Sequence, residues 1–207
     1  MRSTLSFLSL ALALASAGCG GFFNGPLGSA VLKGRVVGAD PRMARVTLRV
    51  AHDSKSDGDD DSGSDDEDSF RTGVDAEGRF ELREVPAFPG SLFIVASTTH
   101  ATRVAVDPVG GAVLDVGDIV PRPGTFFVVT VLNPAGQPVP HAELDLDGTD
   151  VEHVPVDAQG RARLGPLPEG CYLVRAKADG YDEARAERCT SGGEELALTL
   201  VLAGDGP

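Results

Sequence analysis

The sequence predicts an all-β chain: two tandem seven-stranded antiparallel β-sandwich domains behind a cleaved N-terminal leader. Three observations carry that prediction. Val74-Asp-Ala-Glu-Gly-Arg79 returns as Val156-Asp-Ala-Gln-Gly-Arg161, offset by 82 residues with one exchange, Glu for Gln. Short apolar-alternating runs follow one another at turn spacing, with 26 glycines and 14 prolines to make the turns. Past the leader no stretch shows helical periodicity. The repeated hexapeptide is itself a hairpin: an Asp carboxylate can bind the backbone two residues on, and Gly can supply the positive φ that closes the turn. Self-similarity at this offset implies two copies of one β-rich unit. The expected boundaries are 1–18 for the leader, 19–29 for a tether, 30–121 for the first sandwich with a disordered insert at 52–69, and 122–207 for the second.

The net charge of −13 is concentrated. Asp53 to Asp68 holds nine acidic residues against Lys55, so −8 of the charge sits there and −5 is spread over the rest. No basic stripe exists to neutralise phosphates, which excludes a nucleic-acid partner.

Met1-Arg2 precedes an apolar run from Leu5 to Ala17 and the small residues Ala17-Gly18-Cys19, the pattern of a secretory signal. The run is too short to span roughly 30 Å of hydrocarbon as a permanent helix. Leu14-Ala-Ser-Ala-Gly-Cys19 resembles the lipobox of bacterial lipoproteins, with Ser16 where that family usually has Leu. The resemblance implies that Cys19 becomes the lipidated first residue. Gly20 rather than Asp after it implies the outer membrane, on a face left open. Gly20 to Ser29 then reads as a flexible tether.

In the first unit, Ala30–Val37 and Met43–Val50 read as strands, the latter with Val46, Leu48 and Val50 on one face and Arg45, Thr47 and Arg49 on the other. Phe80 and Leu82 alternate with Arg79, Glu81 and Arg83. Ser91 to Ser97 is almost continuously apolar, as for a strand in mid-sandwich. Ala101–Val106 and Ala112–Val120 complete about seven strands. The succession Gly34-Arg-Val36, Val46-Thr-Leu48, Val74-Asp75 to Phe80 and Pro89-Gly90 resembles the carboxypeptidase regulatory-like family. That resemblance implies a prealbumin-like or Ig-like β-sandwich. Thr98-Thr-His100 stands where the family shows a Gly-Tyr turn.

Asp53 to Asp68 contains no apolar residue, so nothing in it offsets the entropy of ordering. The reading is a solvated loop with weak calcium binding as its alternative. Asp57, Asp59 and Asp61 stand two apart with Asp68 eleven after Asp57, as in an EF-hand loop, but Ser62 occupies the position that needs Gly.

Pro121-Arg-Pro-Gly124 separates the units. Thr125–Leu132 is the next first strand, Asn133-Pro-Ala-Gly136 a strong turn, and Leu144 and Leu146 share a face. Ala162 replaces the equivalent of Phe80. Cys171 and Cys189 are equidistant from Gly180, so a hairpin turning there brings them into register. With Tyr172, Val174 and Ala176 as the core face, the cysteines fall opposite and a disulfide is expected in an exported chain. Closing that loop contributes about 3 kcal/mol in the chain-entropy model. A metal site is the competing reading for the pair, but no His lies at ligand spacing.

His52, His100, His141 and His153 fall in or beside expected loops; His141 and His153 share the second unit with Glu143 and Glu152 at no recognised ligand spacing. No nucleophile elbow, phosphate loop or HExxH helix is present. The expectation is a non-enzymatic, cofactor-free, membrane-anchored module, with an unidentified envelope protein or glycan as partner. It serves as a protein-interaction or structural spacer. The alternatives are a carbohydrate or peptidoglycan binder, for which Tyr172 and Tyr181 offer little platform, and calcium-dependent adhesion through the acidic loop.

Overall fold

The computed structural model describes residues 28–50 and 69–204. Those residues contain β-strands and connections and no helix. Cys19, the acidic residues Asp57, Asp59, Asp61 and Asp68, and His52 lie outside them.

The first seven strands are β1 (Ser29–Val36), β2 (Arg45–Val50), β3 (Ser69–Thr72), β4 (Arg79–Pro86), β5 (Gly90–Val95), β6 (His100–Val106) and β7 (Val113–Ile119). They form one sheet ordered β4-β1-β7 and another containing β3-β2-β5-β6. After β8 (Arg122–Pro123) come β9 (Thr125–Leu132), β10 (Glu143–Leu146), β11 (Val154–Pro155), β12 (Arg161–Leu167), β13 (Gly170–Lys177), β14 (Ala184–Thr190) and β15 (Glu195–Val201). Their sheets, β12-β9-β15 and β11-β10-β13-β14, repeat the first order strand for strand.

One expectation needs correction. The pairing is not wholly antiparallel: β7 lies parallel to β1 and β15 parallel to β9. Each closing strand leaves the sheet of its predecessor and returns beside the opening strand, a crossover that alternation patterns cannot register. Ser29 opens β1 and Ser69 opens β3. The Pro121–Gly124 stretch is itself paired. Arg122 and Pro123 pair with Ala101 and His100, and the Gly124 N–H donates to Thr99 O at 2.8 Å.

The apolar alternation lands as expected. Leu32, Val36, Val46, Leu48, Phe80, Leu82, Leu92 and Ile94 build the first core. Phe127, Val129, Leu144, Leu146, Leu164, Tyr172, Val174 and Ala176 build the second. Ala162, in place of an aromatic ring, packs half-buried against that second core.

The repeated hexapeptide makes the same turn twice. Asp75 Oδ1 accepts from the N–H groups of Glu77 (3.0 Å) and Arg79 (2.7 Å); Asp157 Oδ1 accepts from Gln159 and Arg161, each at 2.9 Å. The turn glycines have φ of +81° (Gly78) and +68° (Gly160). Their carbonyls accept from Val36 N–H and Val131 N–H, each at 2.8 Å, which docks both hairpins on the opening strands. A Cβ at Gly78 would lie 2.3 Å from Val36 O, and one at Gly160 2.6 Å from Val131 O. Glycine is therefore needed for dihedral and for contact alike. Asn133 builds a third turn of this kind, its Oδ1 accepting from Ala135 (3.0 Å) and Gln137 (2.9 Å).

Gly78→Ala and Gly160→Ala should each lower stability by at least about 1 kcal/mol. The exposed neighbouring change Ala158→Ser should stay within about 0.5 kcal/mol. Denaturant midpoints of the three variants check this; an unshifted Gly160→Ala would refute the close-contact account.

Candidate interaction surfaces

The face of β2 bearing Arg45, Thr47 and Arg49 is not a solvent face, because the second set of strands covers it. Thr47 is 1% exposed. Arg45 Nε lies 3.4 Å from Asp150 Oδ2, and Arg49 Nη2 3.7 Å from Glu152 Oε1. The acidic partners come from the hairpin between β10 and β11. Thr149 shapes that hairpin: its hydroxyl donates to Leu146 O at 2.8 Å and accepts from Val151 N–H at 3.0 Å. The Asp150 side chain is 2% exposed, whereas Arg45 remains half in water. Opposite charges at this depth set register and partner choice more than net stability.

Apolar contact joins the halves at the same place. Leu92 and Ile94 of β5 belong to the first core, but Phe93 and Val95 of the same strand belong to the second. The Arg103 guanidinium of β6 lies 5.9 Å from the Phe93 ring and 5.6 Å from that of Tyr172, within cation–π range of both. Tyr172 stands edge-on to Phe127 at 6.0 Å and donates its hydroxyl hydrogen to Pro168 O at 2.8 Å. Burial pushes the Tyr172 phenol up to about 12, with the Arg103 charge pulling the other way.

Beside this contact an open cleft of about 480 Å³ is lined by Arg103, Arg122, Glu169 and the Ser191–Gly193 loop. Glu194 fixes that loop, accepting from Ser191 N–H (3.2 Å) and Thr190 Oγ1 (3.0 Å). The Ser191 backbone bond, followed by the Thr190 hydroxyl, holds its carboxyl below the usual range.

The cysteines meet as expected. Cys171 and Cys189 are directly opposed across β13 and β14 and form a disulfide on the exposed face, away from Tyr172, Val174 and Ala176. Among the described residues, Cys171, Glu187 and Cys189 are a trio of metal-ligand types, but its two sulfurs are bonded to each other. The described histidines are not brought together. His100 Nδ1 sits 2.9 Å from Thr99 Oγ1, at the start of β6. His153 Nδ1 lies 3.2 Å from Glu143 Oε2, and the His153 backbone N–H donates to Asp145 Oδ1 at 2.8 Å. His141 and His153 hold positive φ, at +70° and +52°, and serve the bends around β10.

The inter-half contact escaped sequence reasoning because its two signals have ordinary meanings. An Arg-Thr-Arg face reads as solvated, and a continuously apolar β5 reads as mid-sandwich. Together with an Asp-rich turn in the second half, they describe a covered face.

Residues 127–203 match the family model for the carboxypeptidase regulatory-like domain. No curated protein matches the chain. Among solved structures it is similar to GBS52, the minor pilin of Streptococcus agalactiae, at 13% identity over 86% of this chain and 98% of that one, TM-score 0.37. It is similar to the shaft pilin SpaA of Lactobacillus rhamnosus GG at 10% identity over 87% and 98%, TM-score 0.35. The Bacillus anthracis TIE protein aligns at 15% identity over 86% of this chain, TM-score 0.35, and the chain spans about a third (34%) of that protein's length.

Tyr172 yields a pH test. An unfolded phenol titrates near 10, so the folded state's raised value contributes stability that is full below about pH 10. That contribution is lost as pH rises towards about 12. In a Tyr181→Phe variant, phenolate absorbance reports Tyr172 alone and should not develop at pH 10 while the fold persists. Ionisation near pH 10 in the folded protein would contradict the buried, bonded phenol.

Proposed function

We propose that this chain, whose residues 127–203 carry a carboxypeptidase regulatory-like domain, is a non-enzymatic, cofactor-free module of the cell envelope. It consists of two tandem domains of that kind, is anchored in the outer membrane through a lipidated Cys19, and acts as a structural spacer or protein-interaction unit. The observation that supports this reading is the join between the halves. Phe93 and Val95 sit in the second core while their strand neighbours sit in the first, and Arg45 and Arg49 reach Asp150 and Glu152 across the same boundary. Such a join gives fixed length and orientation, which a spacer needs and a pair of freely linked binding domains does not. The signal-like leader ending at Cys19 supports the anchor, since the several acyl chains of a lipoprotein hold stably where one chain exchanges.

Cys19→Ala should move the protein from the membrane fraction to the soluble fraction of fractionated cells; retention in membranes would end the lipid-anchor reading. Crosslinking in intact cells should recover one stoichiometric envelope protein. Recovery of glycan alone would replace the spacer with a carbohydrate-binding role.

A further inference from the structure

Sheet edges are sites of unwanted pairing, and proteins blunt them with bulges, prolines, charges or short length. The two sheets of each half leave eight edge strands among the described residues, and seven are blunted. β4 carries a register shift and Glu84 at φ +57°. β7 carries a register shift, Gly117 at φ +71°, and two aspartates paired to Lys33 and Arg35. β12 has a register shift at Pro166, which has no N–H to offer. β14 bears Arg185, Glu187 and Arg188. β3, β8 and β11 are four, two and two residues long.

Of these devices β15 has a single charge and no other. Its seven residues pair with β9 in unbroken register from Glu195↔Phe126 to Val201↔Leu132. It contains no proline and no basic residue, and its single charge, Glu195, is drawn to Arg163 at 3.1 Å. Leu196 and Leu198, which pack on the second core, are only partly buried, and Val201 is 54% exposed. Past Leu202 the chain turns away, with Asp182 N–H donating to Ala203 O at 2.9 Å, so the open edge ends where the strand ends.

We propose that β15 is a self-association edge. Two copies of this chain pair β15 antiparallel about Leu198, fusing β12-β9-β15 and its copy into one six-stranded sheet. The side chains favour a second copy in that orientation. A two-fold axis at Leu198 sets half-buried Leu198 opposite itself and half-buried Leu196 opposite Leu200, itself only 3% exposed, so the pairing covers Leu196 and Leu198 and extends both cores. On the outer face it sets Ala197 opposite Thr199, and Glu195 opposite Val201. The two Glu195 carboxylates then lie about 20 Å apart, from six steps of about 3.4 Å; parallel pairing would bring them to about 5 Å, where like charges destabilise a cross-strand pair. The proposal concerns the folded chain and holds whether or not Cys19 anchors it.

The test uses the full chain in detergent and sedimentation equilibrium. The wild type should be a dimer. Ala197→Asp with Thr199→Asp places Asp opposite Asp at two symmetric positions and should weaken the dimer by about tenfold or more. Ala197→Lys with Thr199→Asp places Lys opposite Asp and should restore it. Both positions face solvent, so melting temperature monitors folding independently. Should the double-Asp variant not fold, Ala197→Cys with Thr199→Cys in cells should give a disulfide-linked dimer on a non-reducing gel, while Val113→Cys on β7 should not. A monomeric wild type, or a dimer indifferent to the charge pattern and to the β15 cysteines, would overturn the proposal.

Discussion

β5 is apolar on both faces, and a strand of that kind needs two covers. Its own sandwich supplies one, over Leu92 and Ile94; among the described residues the second half of the chain supplies the other, over Phe93 and Val95. Burying one Phe and one Val is worth about 1.5–3 kcal/mol each, a large part of what a small domain has in reserve. The two halves are therefore tied by hydrophobic burial that neither could recover alone. The ion pairs of Arg45 and Arg49 ring that contact and fix which way the second half faces.

Much of this was legible in the residues and some was not. The hexapeptide turns could be read because Asp and Gly act locally: one carboxylate and one positive φ settle the conformation wherever the stretch stands. The disulfide could be read because equal spacing from Gly180 is a register statement, and Tyr172, Val174 and Ala176 fixed the faces. Contacts set by distant partners stayed hidden. Nothing in Arg45-Val-Thr-Leu-Arg49 tells a solvated face from one covered by Asp150 and Glu152, a hundred residues on. Nor does period-two alternation distinguish a parallel β7 or β15 from an antiparallel one, since both bury alternate side chains. Pro121–Gly124 read as a separator because its prolines do break strands; Arg122 and Pro123 pair at the sheet edge, where a missing N–H costs little.

The two sets of strands differ in what they leave open. The first is blunted along its closing strand by Gly117 and by Asp115 and Asp118 with their basic partners. The second keeps its closing strand regular and weakly charged, and braces the neighbouring β13–β14 hairpin with the Cys171–Cys189 bridge.

Everything rests on β5 serving two cores, and scanning calorimetry of the wild type and Phe93→Ala tests that most directly. A shared strand makes the wild type unfold in one transition with calorimetric and van't Hoff enthalpies equal. It also makes Phe93→Ala, a first-half substitution, lower the stability of the whole by about 3–5 kcal/mol. Two resolved wild-type transitions, with Phe93→Ala moving one and leaving the other in place, would show that the halves fold apart and that the join is incidental.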